Sequence, residues 1–317
     1  MSLSADEFTM KIDIIFIGIC KLFPESGAKN MEARWYSFKN SAAGCNLCFR
    51  GCVILKGGVG YCGVRRWEGE FFTSPYLGRF SSCAVDPIEK KPLYHWRAGS
   101  LIFSLGSLGC NMRCPFCQNH TIAQPSNMNI PLGEIIPTEL VRQILSRGLS
   151  AVAYTYNEPA LQAEYILEAA PLLKNAGIAS VLVTNGMFSL EALNDLIPWI
   201  DAANVDVKTF EPEKYAGMGG SLDIVRENVE SMVRAGVHIE LTNLVVPGVS
   251  DSLEDFERMV DWIASISPDI PFHISRYFPA HRCSAPPTDI DLMRSFEALA
   301  SRKLKYIHLG NVKVLAV

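Results

Sequence analysis

Seven of the ten cysteines in this 317-residue chain fall into two tight groups, with spacing that suits metal ligands rather than disulfide partners. One group, Cys110, Cys114 and Cys117, reads C-x3-C-x2-C within Gly109-Cys110-Asn111-Met112-Arg113-Cys114-Pro115-Phe116-Cys117. Three thiolates on one short loop ligate three irons of a [4Fe–4S] cluster and leave the fourth iron without a protein ligand. That open iron gives the loop its chemistry. S-adenosylmethionine (SAM) can chelate it through amino and carboxylate groups, which sets the sulfonium beside the cluster. One electron then cleaves a C–S bond and yields a 5′-deoxyadenosyl radical. A zinc site completed by His120 or Cys83 is the alternative, although zinc sites usually pair their cysteines.

The other group, Cys45, Cys48, Cys52 and Cys62, reads C-x2-C-x3-C-x9-C and supplies four ligands with no vacancy. A closed second metal site follows, and spacing alone does not separate structural zinc from a fully ligated iron–sulfur cluster. Gly57, Gly58, Gly60 and Gly63 let the backbone turn tightly there. Cys20, Cys83 and Cys283 are isolated and read as small buried hydrophobes. His120 directly follows the three-cysteine loop, whereas His95, His238, His273, His281 and His308 have no ligand spacing and read as packing or surface residues.

Such a loop needs a scaffold. From residue 101 onward, short β-branched runs alternate with helical stretches, the pattern of βα units about a parallel sheet. Strands are expected near Leu101–Leu105, Ala151–Thr155, Ala179–Thr184, Asn204–Lys208, His238–Val245 and Phe272–Ser275. The fold class is therefore α/β, a partial (β/α)6 TIM-like barrel over 101–317, with a small Cys-rich metal-binding domain and linker at 31–100. In parallel βα barrels the C-terminal ends of the strands build the site, so residues remote in sequence converge there. A SAM pocket needs partners for an ammonium, a carboxylate, a ribose diol and an adenine. Glu158, with Asn157 beside it, follows the second strand and suits the ammonium. Asp206 and Lys208 lie two apart in a strand and so share a face; a local ion pair is the plainer reading of them. Thr184 and Asn185 can add contacts, as can Arg276 and Tyr277 on the last loop, for which a packed, hydrogen-bonded rim pair is the equal alternative.

At the C-x3-C-x2-C motif, with Phe116 as the aromatic before the last cysteine, the sequence resembles the radical SAM superfamily. Residues 33–124 closely resemble the AmmeMemoRadiSam-system radical SAM proteins, which are related to pyruvate formate-lyase activating enzymes. The strings that carry this are Cys45-Asn46-Leu47-Cys48, Gly60-Tyr61-Cys62-Gly63-Val64-Arg65, Asp86 through His95 and Gly109 through Asn119, with Tyr154 through Pro159 and Val246-Pro247-Gly248 downstream. Relatives often continue into a Cys-Pro-x-Cys-Gly tail that does not follow Gly310-Asn311-Val312 here, so no role of that tail is carried over. The resemblance implies a [4Fe–4S] cluster, SAM, and a low-potential electron donor such as flavodoxin or ferredoxin. It implies cofactor-binding roles for Phe116, Asn157 and Glu158, and it places Asp206 toward the ribose and Lys208 toward the methionyl carboxylate. The activity implied is that of a glycyl-radical activase acting on a protein. Radical modification of a small molecule or another macromolecule is the alternative, and a non-catalytic electron-transfer protein is a third.

Composition sets the outer bounds. With 49% hydrophobic and 20% charged residues the chain is ordinary for a folded domain, and a net charge of −4 gives no electrostatic reason to expect nucleic acid or an anionic membrane as partner. The apolar run Ile14–Cys20 is far shorter than the roughly 20 residues of a spanning helix. Clustered thiols without a signal peptide point to the reducing cytoplasm. Residues 1–30 read as a poorly ordered extension, with a short buried strand as the alternative.

Overall fold

The computed structural model describes residues 33–39, 41–69, 71–125 and 130–312. The extension at 1–30, with Cys20 and the run Ile14–Cys20, lies outside the described residues.

All six expected strands form, as β1 (Leu101–Gly106), β2 (Ala151–Tyr154), β3 (Ala179–Thr184), β4 (Ala202–Asp206), β5 (His238–Val245) and β6 (Phe272–Arg276). A seventh, β7 (Ile307–Gly310), pairs in parallel with β6, and Ser82–Pro87 pairs antiparallel with β1 at the opposite edge. The sheet thus runs in chain order from that antiparallel strand through β1 to β7 without closing, which is a partial barrel. The antiparallel strand comes from the segment placed with the Cys-rich domain, so that segment supplies one edge of the barrel sheet.

Each parallel crossover carries a helix: α1 (Pro137–Ser146), α2 (Ala163–Asn175), α3 (Leu190–Leu196), α4 (Leu222–Arg234), α5 (Leu253–Ile266) and α6 (Ile290–Ala300). Proline at the start of α1 and side-chain caps from Ser189, Ser221, Ser252 and Asp289 fix where five of them begin. The caps set the length of each rim loop, because a strand must end and a helix start within a few residues. Among the described residues, no helix is long and apolar enough to cross a membrane.

The two sheet faces have different fillers. Phe103, Val152, Tyr154, Leu182 and Val205 pack with helix residues such as Leu140, Ile166 and Val229. The other face carries the alternate residues, including Ala151, Ala153, Ala179 and Ala202, and is filled by Ile88 and Leu93 of the linker. Small strand residues leave room for a chain to cross, and hydrogen bonds hold it in place. Asn204 Nδ2 donates to the Pro92 carbonyl at 3.0 Å. The fully buried Glu240 accepts from the Tyr94 and His95 amides at 3.0 and 2.7 Å, and from the His238 and His273 rings at 3.1 and 2.7 Å. Burial opposes the Glu240 charge, but these donors outweigh it and hold the carboxyl well below its usual range.

Residues 33–80 form a short three-stranded antiparallel sheet (Tyr36–Lys39, Ala42–Cys45, Val53–Leu55) and a two-stranded one (Arg66–Trp67 with Phe72–Thr73). Ala43, Leu47, Ile54, Val64 and Phe72 join the same apolar cluster as the barrel's helix side. Trp35 Nε1 donates to Asp195 of α3 at 3.0 Å, and the Ser189 amide donates to the Leu47 carbonyl at 3.1 Å. These contacts place the four-cysteine segment against the loop after β3, on the rim side of the barrel.

Candidate active site

The three-cysteine loop leaves β1 through Gly109, whose φ is +83°. A Cβ there would meet Val64 at 2.5 Å and the Cys62 carbonyl at 2.7 Å, so both conformation and space demand glycine. The loop is then pinned from several sides. Asn157 accepts from the Ser107 amide at 2.8 Å and donates to the Gly109 carbonyl at 3.0 Å. Gln124 donates to the Cys114 carbonyl at 3.1 Å, and the Arg282 amide to the Pro115 carbonyl at 2.8 Å. Asn111 is fully buried, donating to the Met187 carbonyl at 3.1 Å and accepting from Asn185 at 2.8 Å.

The three thiols share one environment. Burial pushes Cys110 and Cys117 up and Cys114 to about 11; neighbouring sulfurs add to the rise at Cys110 and Cys114, while Lys208 pulls Cys114 and Cys117 back. Backbone amides two residues on donate to two of the sulfurs, Met112 to Cys110 at 3.4 Å and Asn119 to Cys117. Asn185 Nδ2 also approaches the Cys110 sulfur at 3.6 Å.

Glu158 stands at the end of β2 with 2% of its surface exposed. Its carboxylate accepts from Thr184 Oγ1 at 2.6 Å, the Asn185 amide at 2.9 Å and the Ala160 amide at 3.1 Å. Burial nonetheless raises it to about 7, against the pull of these donors and Lys208. It is a buried acid short of a cation. Lys208 Nζ bonds Asp206 at 2.7 Å, and their side chains are 17% and 33% exposed. Asp206 shares a sheet face with Asn204 and Ala202, the face the linker fills, and both charges act on Cys114.

Not every expected residue offers itself to a ligand. Asn157 uses its amide on the loop backbone. Phe116 is only 3% exposed and belongs to the core, so its ring is packing rather than an open platform. Arg276 donates to the Thr288 carbonyl at 2.8 Å and Tyr277 to the Cys283 carbonyl at 2.7 Å, the packed-pair alternative. His120 points Nδ1 at the Cys117 carbonyl at 3.2 Å and stacks on His281, with ring centres 4.4 Å apart. Asn111, Asn185 and Arg113 carry more of the loop than their sequence positions suggest; no spacing rule marks them.

A family model described as the radical SAM superfamily matches residues 105–263, which span β2 to β5 and begin at the end of β1. This chain belongs to the radical SAM superfamily. An uncharacterized protein of Methanocaldococcus jannaschii is 32% identical over 285 residues, covering 89% of this chain and 85% of that protein. The pyruvate formate-lyase-activating enzyme of Clostridium pasteurianum is 25% identical over 169 residues, half of this chain and 67% of that enzyme. In fold the chain is similar to a radical SAM methyltransferase structure from Sphaerobacter thermophilus, with a TM-score of 0.50, 13% identity, and coverage of 66% and 65%.

Membership in the radical SAM superfamily implies a [4Fe–4S] cluster and SAM, and the residues fit both. Among the described residues, no three His, Cys, Asp or Glu side chains converge on one metal-ion position. His120, one of the two fourth ligands the zinc alternative offers, turns its Nδ1 to the Cys117 carbonyl at 3.2 Å.

Proposed function

We propose that this chain takes up SAM at Cys110, Cys114 and Cys117 and directs the resulting radical at a protein partner, as a glycyl-radical activase does. The reading rests on one observation: three thiols, a cation-short Glu158 and the Asp206–Lys208 pair meet at one rim of the barrel. When bound, the cluster supplies the electron that splits SAM into methionine and a 5′-deoxyadenosyl radical, which then removes a hydrogen atom from substrate. The residues bind and orient. A carboxylate has about four lone-pair sites, and Glu158 uses three, which leaves one for the SAM ammonium. Asp206 and Lys208 exchange their mutual bond for the ribose diol and the methionyl carboxylate. Asn157 holds the loop in register, and Phe116 packs beneath it. Hydrogen abstraction requires no general base, so the rim needs no acid–base pair.

The Glu158 assignment makes a pH prediction. Its folded value of about 7 lies above the ordinary value of 4.5, so in SAM-free protein its contribution is fully present at low pH and is lost as pH rises through 7, about 3 kcal/mol in all. SAM reverses the preference, because the ammonium needs the ionised carboxylate. Calorimetric SAM affinity should therefore fall about tenfold per pH unit between 7 and 5.5, and Glu158→Gln should flatten that slope. A slope unchanged in the variant would remove the assignment.

The reaction itself is read from reconstituted protein with dithionite and SAM under anaerobic conditions, following methionine and 5′-deoxyadenosine by chromatography. Iron without any 5′-deoxyadenosine, in the presence of candidate substrates, would favour an electron-transfer protein. The activase reading predicts that an added glycyl-radical protein gains an electron paramagnetic resonance doublet. Its absence alongside brisk SAM cleavage would move the substrate to a small molecule. Similarity to the Clostridium pasteurianum enzyme supports the protein substrate.

A further inference from the structure

We infer that Tyr156 is a positioning residue for SAM: Asp86 and Lys91 tether its side chain, and the tether holds a left-handed turn that presents Glu158 to the cofactor. The presentation of Glu158 rests on the ammonium role proposed for that residue, whereas the tethered turn does not.

The backbone at Tyr156 is in a conformation that few side chains adopt. Its φ is +69°, and the Asn157 amide donates to the Thr155 carbonyl at 2.9 Å, which closes a three-residue turn about Tyr156. A γ-turn with positive φ is the rare, strained form, and for a bulky residue it persists only where the surroundings hold it. Here the side chain supplies the hold. The Tyr156 hydroxyl donates to Asp86 Oδ2 at 2.7 Å, and Lys91 Nζ bonds the same oxygen at 2.8 Å while standing 4.4 Å from the centre of the Tyr156 ring. The Lys91 and Asp86 side chains are 3% and 10% exposed, so water offers no ready replacement for these bonds. Burial opposes the Asp86 charge, but Lys91 and the Tyr156 and Ser104 hydroxyls outweigh it and hold the carboxyl well below its usual range. The ring lies over β1, where a Cβ at Gly106 would meet Tyr156 Cδ2 at 2.7 Å. Asp86 itself sits in the strand paired antiparallel with β1, opposite Ile102. The anchor is therefore part of the sheet edge and not of a rim loop.

The turn carries the groups that SAM binding depends on. The Tyr156 carbonyl accepts from Asn119 Nδ2 at 2.8 Å, two residues beyond Cys117. Asn157, the next residue, accepts from the Ser107 amide and donates to the Gly109 carbonyl, one residue before Cys110. The three-cysteine loop is thus held at both of its ends by two consecutive residues of this turn. Glu158 follows directly, with its carboxylate placed by Thr184, Asn185 and Ala160. Relaxation of Tyr156 to an ordinary negative φ would rotate the chain between β2 and Glu158 and shift all of these contacts together. A break in the tether, remote from any contact with SAM, is therefore felt as weaker SAM binding.

The test uses the difference between glycine and alanine, because glycine adopts positive φ without strain and alanine does not. In reconstituted protein, calorimetric SAM affinity should fall about tenfold or more in Tyr156→Ala. It should fall less in Tyr156→Gly, although glycine removes more of the side chain. Tyr156→Phe keeps the ring over Gly106 and loses only the bond to Asp86, so its affinity should lie between those of the wild type and Tyr156→Ala. A side chain that only fills space gives another pattern, with Tyr156→Gly no better than Tyr156→Ala and Tyr156→Phe equal to the wild type; that pattern overturns the inference, as does wild-type affinity in Tyr156→Ala. Ile144→Val, fully buried in the last turn of α1, should lower the urea midpoint and leave SAM affinity unchanged. An equal loss of affinity there would reduce the Tyr156 effect to one of stability and overturn its positioning role. Glu158→Gln in the same titration keeps the two assignments apart. Weakened binding in Glu158→Gln beside wild-type binding in Tyr156→Ala keeps the ammonium role and overturns the tether, whereas wild-type binding in Glu158→Gln overturns the presentation of Glu158 and leaves the glycine–alanine order to decide the turn.

Discussion

Cys114→Ala is expected to drop 5′-deoxyadenosine formation from SAM to background, a loss of at least about a thousandfold, or 4 kcal/mol and more in the barrier. The size follows from what the residue does. An acid or base can be partly replaced by water, but an electron cannot reach SAM unless the cluster stays beside it. Two remaining thiols leave two irons of the cube without protein ligands, and the cluster is lost rather than weakened. The protein itself should survive. Cys114 is 8% exposed, its carbonyl bond to Gln124 is backbone, and losing one small buried side chain costs on the order of 1 kcal/mol. The check is chromatography of both products together with iron content and an unfolding curve on the same sample. Full activity in a folded Cys114→Ala protein would end the reading of this loop, and Cys110→Ala and Cys117→Ala should behave alike.

That prediction was legible in the sequence because its chemistry is local. Three cysteines within eight residues after a β-branched run are enough to place ligands on the rim of a parallel sheet, and β1 to β6 appear where the runs are. Asp206 and Lys208 were also legible, since two-residue spacing in a strand fixes a common face, although the strand ends at Asp206 rather than Lys208. The hidden parts depend on long-range pairing. β7 is a four-residue run without strong periodicity and forms because β6 offers it an edge. Glu240 and the histidines 95, 238, 273 and 308 have no motif, yet the parallel register brings His238, His273 and His308 to neighbouring strand starts around one buried carboxylate. The linker from Asp86 to His95 was visible only through resemblance. Its physical task is to fill the helix-free face and to hold Tyr156, whose φ is +69° and whose hydroxyl donates to Asp86 at 2.7 Å.

The contact with the largest expected effect on stability was invisible for the same reason, since its partners lie 99 residues apart. Arg65 and Glu164 pair at 2.5 Å with side chains 1% and 3% exposed, joining the four-cysteine segment to the first turn of α2. Glu164 also accepts from the Arg34 amide at 2.8 Å, and Arg65 donates to the Arg34 carbonyl. Burial works against the Arg65 charge, but Glu164 and the Cys45 and Cys62 sulfurs more than offset it. Glu164→Ala leaves that charge buried without its carboxylate, and the expected cost in metal-free protein is about 3–5 kcal/mol. The urea midpoint should fall by about 1 M or more. Removing both charges is a different case, because a buried pair gains little over apolar residues of similar volume. Arg65→Met/Glu164→Leu should therefore recover most of the loss, and equal destabilisation in the single and double variants would show that packing, not charge, is responsible.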